Sequence, residues 1–399
     1  MAYTEKFTTS WTSRVGNAFK GILIGFVLII IGTILLWWNE GRNVGTNDAI
    51  KEASLNAISL DDIDKIDPAN NSKLIHASAI AKAIGMVKDE DFDISIDAIG
   101  LERFVSYYQW VENTSSKTEK KIGGSEETTT TYTYEKKWVN LPIDSSLFKE
   151  PAGHENKINA HISNQSFYAN KVAFGSYFLN ENQIKNINGA KPLQISVDTN
   201  LMSKVSKKFN QNVLVKNNSI YVGLNANEPQ IGDVEITFLQ IPNNQTISII
   251  AQINNDTFKP WKASNGKLFS KLVMGERSLD EMIQIAQNEN LVLTWVLRIV
   301  GGLLIIFGFR LLLAPLAVLA DVLPFLGSIV GFGVGALAFV IGLAWSLIII
   351  AIAWIRFRPI LAITLLIVAI LCIFILFKFK KPKNNGGSNV IFKHTSSWT

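Results

Sequence analysis

Residues 291–377 read LVLTWVLRIVGGLLIIFGFRLLLAPLAVLADVLPFLGSIVGFGVGALAFVIGLAWSLIIIAIAWIRFRPILAITLLIVAILCIFILF, and this stretch decides the fold. A helix needs only about 20 apolar residues, at 1.5 Å each, to cross the hydrocarbon of a bilayer. The run is far longer than that, so it holds several crossings. Breaks at Pro315, Asp321, Pro324 and Arg356-Phe357-Arg358-Pro359 divide it into spans at 291–313, 327–355 and 360–377, with residues 314–326 as an interfacial turn. The middle span exceeds what the hydrocarbon requires and is expected to tilt. Within it Gly327, Gly331 and Gly335 recur at four-residue steps. That spacing puts them on one helix face, a strip along which another backbone can approach closely.

At the other end of the chain, residues 21–38 form a further apolar run ending Leu35-Leu36-Trp37-Trp38. The preceding Lys6, Arg14 and Lys20 also suit a secretory signal, but the run is long and lacks a small-residue cleavage pattern, which favours a retained anchor. Gly21, Gly25 and Gly32 share a face of this helix and offer a second packing strip. Asn39-Glu40-Gly41-Arg42 follows directly. It reads as a helix exit, with Gly41 as C-cap and Arg42 turning toward headgroups, or alternatively as a docking motif. Residues 45–60 then have helical spacing of their own.

Between the hydrophobic ends, residues 39–290 are polar enough for an extramembranous domain and numerous enough to bury a core. The lone Cys372 has no partner in the chain, so such a domain rests on its core without an internal disulfide. The net charge of +5 lies mostly in the flanks and is no footprint for nucleic acid. Alternating aromatic and β-branched residues predict strands at 105–112 and 128–139, joined by the polar residues 113–127 as a long hairpin with a mobile tip. Further strands are expected at 193–197, 219–224, 232–239 and 246–253, giving an α+β domain richer in strand than helix. Ser278 and Glu281 form a capping-box pattern that starts a helix at 279–290, leading back to the membrane.

The expected architecture is therefore a membrane protein with four α-helical spans and a large luminal or periplasmic α+β domain. Four spans put both termini on one side. Lys6, Arg14 and Lys20 at 1–20, with Lys378, Lys380, Lys381, Lys383 and Lys393 in the tail 378–399, favour the cytoplasm for them. Arg356 and Arg358 sit on the opposite side in this arrangement, against the charge rule. Arg298 and Arg310 lie near the ends of their span, where they either snorkel to water or line an aqueous path.

No catalytic residue, metal site or cofactor site is expected. His76, His154, His161 and His394 have no partner at metal-ligand spacing, and there is neither a nucleophile motif nor a phosphate-binding glycine loop. Asp61, Asp62, Asp64 and Asp67 lack the glycine and terminal glutamate of a calcium loop and read as a solvated turn.

Several motifs in order resemble the transmembrane protein 43 (LUMA) family: Asn39-Glu40-Gly41-Arg42, Tyr108-Gln109-Trp110-Val111-Glu112, Tyr132-Thr133-Tyr134 with Trp138, Gly153-His154, Gly232-Asp233, and the Arg358-Pro359 turn. The resemblance implies a multipass protein, at the endoplasmic reticulum and inner nuclear membrane in animals, that self-associates and organises membrane protein complexes. Emerin- and lamin-type partners apply only in an animal setting. The function expected is a scaffold whose partners are membrane lipids, other copies of itself and other membrane proteins. The alternative is an oligomeric ion channel or transporter subunit with its pore between protomers, motivated by Arg298, Arg310 and Asp321.

Overall fold

The computed structural model describes residues 2–195, 199–216 and 218–360, together with Ile363, Thr364 and Ile367. The expected fourth span at 360–377 and the tail at 378–399 fall almost wholly outside the described residues. Among the described residues three helices are long and apolar enough to cross a membrane: α1 (Trp11–Asn56), α2 (Leu279–Ala320) and α3 (Pro324–Phe357).

Each is longer than the apolar run that predicts it. Residues 21–38 and 45–60 are not separate helices, because α1 runs unbroken through Gly41. The missing Cβ there admits the Phe357 ring, whose Cζ lies 2.8 Å from where a Cβ would stand. Likewise the expected helix at 279–290 and the span at 291–313 are one helix, which continues through a buried Pro315. Membrane helices tolerate proline where neighbouring helices absorb the local adjustment. The interfacial turn expected at 314–326 shrinks to residues 321–323, since Pro324, preorganised for a helix N-terminus, begins α3. The capping box at the start of α2 forms as expected: Ser278 Oγ accepts from Glu281 N, and Glu281 Oε2 accepts from Ser278 N.

Helices α1 and α2 run antiparallel and meet through reciprocal glycines. A Cβ on Gly25 would stand 2.7 Å from the Gly308 carbonyl oxygen, and one on Gly308 would stand 2.8 Å from that of Gly25. One turn pair further, a Cβ on Gly32 would stand 2.8 Å from the Gly301 oxygen. Both pairs are separated by seven residues on each helix, two turns, so the same face returns to the contact. Helix α3 closes against α2 at Gly342 and Ile306, and Trp345 Nε1 donates to Thr33 Oγ1 of α1.

The strand-rich part, the body, is built on strands β1 (Ala2–Thr9), β2 (Leu74–Ala83), β3 (Ala98–Lys120), β4 (Glu126–Val139), β5 (Val213–Lys216), β6 (Ser219–Val222), β7 (Val234–Pro242), β8 (Gln245–Asn254) and β9 (Lys271–Met274). One sheet has the order β1-β4-β3-β7-β6-β5; in the other, β8 pairs with β9 on one side and β2 on the other. The sheets share one core, with Ile99, Leu101 and Val105 from β3 and Ile236 and Phe238 from β7 against Ile75 and Ala77 from β2 and Ile247 and Ile249 from β8. Strand β8 is buried on both faces. Its alternate side chain Ile250 joins Leu74 against Ile50 and Ala53 of α1 and Met282, Ile283 and Ala286 of α2. Full burial of such side chains contributes roughly 1.5–3 kcal/mol each, so the helices are bonded to the body rather than tethered by a linker.

The strands expected at 219–224, 232–239 and 246–253 correspond to β6, β7 and β8; at the one expected at 193–197, residues 193–195 are not in a strand and 196–197 lie outside the described residues, a two-residue strand at Lys191–Pro192 preceding them. The hairpin departs more. Residues 113–127 are not a mobile loop, because β3 and β4 stay paired to Lys120↔Glu126, leaving only 121–125 as the turn. Nor is the N-terminal segment separate from the domain: β1 pairs with β4 along its whole length, from Ala2↔Thr133 to Thr9↔Glu126. The result is a three-stranded arm that leaves the sandwich after Tyr107, the last β3 residue paired with β7.

Candidate functional site

Two polar clusters flank the apolar part of the helix bundle. The first lies where the helices enter the body and contains Asn39-Glu40-Gly41-Arg42. The register of α1 turns Glu40 fully inward, where its Oε1 accepts from Arg298 Nε at 2.7 Å and its Oε2 from Arg298 Nη2 at 2.9 Å. Trp354 Nε1 of α3 donates to the same Oε2 at 2.9 Å. The Arg298 guanidinium also lies 4.8 Å from the centre of the Trp295 ring and 5.8 Å from that of Trp354. A bidentate, aromatic-flanked arginine is well suited to holding a carboxylate away from water.

Two residues on, Arg42 does not reach for headgroups. Its Nη1 donates to Asn290 Oδ1 at 2.7 Å, its Nη2 to Thr294 Oγ1 at 2.9 Å, and both Nε and Nη2 to Asn39 Oδ1. Asn39 Nδ2 in turn donates to the Thr294 carbonyl, while Asn290 Nδ2 is shared among the Asn43 carbonyl, Asn43 Oδ1 and Asn47 Oδ1. Gly41 is therefore no helix exit, and each of the four motif residues has its partner on α2 or α3. Sequence reasoning missed Asn290, Thr294, Asn43 and Trp354. A signal was available for the first three: Asn290, Thr294 and Arg298 lie four apart on α2, as do Asn39, Asn43 and Asn47 on α1, and polar residues at that spacing share one helix face.

The second cluster sits at the opposite end of the bundle, where the hairpin tip meets the turn between α2 and α3. Arg14 Nη2 pairs with Asp321 Oδ2 and, at 2.8 Å, with Glu126 Oε1; Lys120 Nζ lies 2.7 Å from Asp321 Oδ1. Gly123 N donates to the Val322 carbonyl at 3.0 Å, and Trp11 Nε1 to that of Val318 at 3.0 Å. Burial alone would push the Asp321 carboxyl up, but the hydrogen bonds and charges of Lys120 and Arg14 outweigh it and hold it below the ordinary carboxylate value. A depressed value means that the ionised group stabilises the closed tip above pH 3.8, its usual value, and that this contribution fades as pH falls through the lower folded value. Asp321→Asn is accordingly expected to raise hydrogen exchange at residues 121–125 at neutral pH. Acidification below the lowered Asp321 value should do the same to the unaltered protein and remove its difference from the variant, once exchange is corrected for its intrinsic pH dependence.

The remaining predicted residues divide. Gly21, Gly25 and Gly32 all face α2 within the chain. Gly327 does not belong to an open strip, because the Asp321 side chain fills its Cβ position; nothing among the described residues approaches Gly331 or Gly335 within 4 Å of a Cβ. Arg310 is exposed on α2 and takes no part in either cluster. Arg356 is exposed with its guanidinium 5.9 Å from the Phe357 ring centre, and Arg358 caps α3 through its backbone N–H to the Trp354 carbonyl.

In the body, His76 bonds Ser59 and the Arg277 carbonyl, and His154 stacks on Tyr134 at 3.9 Å between ring centres. Asp62 Oδ1 accepts from Asp64 N, and Asp67 caps a short helix through Ala69 N. Asp61, Asp62 and Asp64 border a shallow depression of ≈ 550 Å³, and no group of three or more potential metal ligands occurs among the described residues.

The profile of the family described as Transmembrane protein 43 matches residues 107–359. Transmembrane protein 43 of Rattus norvegicus is 26% identical over 358 residues, covering 88% of this chain and 87% of its own. The Homo sapiens protein of that name is 24% identical over 359 residues, 88% of each chain. The Drosophila melanogaster homolog is 26% identical over 363 residues, 86% of this chain and 91% of its own. No solved structure matches.

Proposed function

Because the chain belongs to the transmembrane protein 43 family, and aligns with its relatives over most of both lengths, we propose that it is a multipass membrane scaffold that self-associates and organises other membrane proteins. The observation that carries the reading is the contrast between its glycine faces. The α1 strip is consumed by α2 of the same chain, whereas Gly331 and Gly335 leave the outer face of α3 open among the described residues. A helix face free of side chains in lipid favours close approach by another helix. Both polar clusters have their charges paired within the chain and present no nucleophile beside a base, which suits a rigid support better than a catalyst. The reading keeps the start of α1 on the cytoplasmic side, with the sandwich across the membrane.

Gly331→Leu with Gly335→Leu tests it. Neither substitution meets a neighbour among the described residues, so the monomer should fold and melt as before. The oligomer in mild detergent should dissociate, with a change in mass on light scattering, and copurifying membrane proteins should be lost. An unchanged oligomer and an unchanged set of partners would overturn the α3 interface.

A further inference from the structure

The three-stranded arm ends beside Asp321 and Val322, at the opposite end of α2 from the body. Its strand from Val111 to Lys120 therefore covers the same interval as the apolar helices. Ten residues at about 3.3 Å each make about 33 Å, the length of a membrane-crossing strand. If α1 crosses the bilayer, the arm crosses with it, because β1 leads directly into α1 while remaining paired to β4.

Such an arm cannot face lipid alone. Strand alternation gives it one face with Tyr3, Glu5, Phe7 and Tyr132 among threonines, Glu5 being paired with Lys149; this is the face whose Glu126 and Lys120 reach Arg14 and Asp321. The other face carries Thr4, Lys6, Ser115, Lys117, Thr129 and Thr131, with no apolar residue larger than Ala2 along the length of β1. Both outer edges are also unpaired among the described residues: β1 bonds only to β4, and β3 beyond Val111 bonds only to β4. Unpaired backbone groups are costly in hydrocarbon, and a lipid-exposed sheet is stable at that depth only when it closes on itself.

We propose that the arms of several copies of this chain pair edge to edge, β1 of one copy beside β3 of the next, and close a β-barrel that encloses an aqueous passage within a ring of helices. A second copy is the occupant with the complementary edge. Each arm carries one edge of each kind, and on the polar face the β1 edge presents Lys6, 3.8 Å from Glu127, while the β3 edge presents Glu119, beside Lys117 and Lys121; both remain substantially exposed and could exchange these partners across a seam. Strands β1 and β3 are each antiparallel to β4, so copies related by an axis along the bilayer normal join through a parallel seam. Membrane barrels begin at about eight strands, and three strands per copy therefore require at least about three copies. The proposal rests on the self-association reading and adds a second, independent seam to it.

Cysteine pairs in the full-length Cys372→Ser protein, in phosphatidylcholine–phosphatidylglycerol vesicles, test the seam. Within one arm β1 and β3 are two strand spacings apart, about 9.6 Å, beyond disulfide reach of about 7 Å between Cα atoms. Any disulfide between them therefore joins two copies. Thr4→Cys is combined in turn with Asn113→Cys, Ser115→Cys and Lys117→Cys, which covers the registers a barrel can take. One combination should yield a ladder of cross-linked species on a non-reducing gel. A ladder from amine-reactive cross-linking with none from any cysteine pair would overturn the barrel and leave self-association standing; no ladder by either route would overturn both.

Single cysteines supply the second measurement. A membrane-impermeant thiol reagent should label Thr129→Cys and Thr131→Cys and lose its labelling at Thr128→Cys and Thr130→Cys. Uniform labelling of all four would mean the arm lies in bulk water, and the proposal would fail.

Discussion

Arg298→Ala is expected to destabilise the protein by about 3–5 kcal/mol, the cost of leaving a buried carboxylate without its partner. Glu40 is fully enclosed, and Arg298 supplies two of its three side-chain hydrogen bonds, Trp354 the third. Water cannot replace the guanidinium without parting α1 from α2. The loss should be read as a lower unfolding midpoint in detergent and as faster proteolysis between the body and the helices. The double variant Glu40→Gln with Arg298→Gln should lose less than Arg298→Ala alone, because it buries no net charge. A loss below about 1 kcal/mol, the range of exposed pairs, would show that solvent already reaches the carboxylate.

The second large effect belongs to Gly308. Leucine there must place its Cβ 2.8 Å from the Gly25 oxygen and 2.6 Å from Ile29 Cγ1, and the first of these is backbone that cannot rotate away. Overpacking of this kind costs about 1–3 kcal/mol where side chains can yield, and the upper end applies to a helix seam held by facing carbonyls. Gly308→Leu should therefore weaken the monomer by about 3 kcal/mol, and its hydrogen exchange should rise along both α1 and α2. Gly331→Leu, on the open face, should leave both measurements alone. Equal effects at the two positions would remove the distinction between internal and external glycine faces on which the proposed function depends.

Much of this was legible in advance where one physical signal dominates. Apolar length announces the helices, and the alternation of residues 246–253 announces β8. The Ser278–Glu281 capping box marks the start of α2 within a residue. Element ends were harder, because Gly41 and Pro315 are punctuation in water but tolerable inside packed membrane helices. The hairpin was legible as a hairpin, yet its Thr- and Glu-rich outer half read as loop, since polar strands lack the apolar alternation that marks a half-buried sheet. What completes it is β1, more than a hundred residues away in the chain, and no local pattern reports such pairing. In the polar joint, the Glu40 and Arg42 side of each contact was visible as a motif. The α2 side was present as four-residue spacing, but pairing the two faces needs the antiparallel docking that the glycines impose.

The unbroken course of α1 and α2 has a mechanical consequence. From Asn39 to Asn56, and again from Leu279 to Asn290, the helices extend beyond their apolar runs and end in the same packed cluster beneath β8. The extension of α1 alone is about 27 Å at 1.5 Å per residue. The sandwich thus rides on a two-legged strut braced near its foot by the Glu40–Arg298 clasp. A sideways pull on the sandwich meets no slack linker at either leg, so it acts on the tilt of the two helices rather than on a hinge between them and the sandwich.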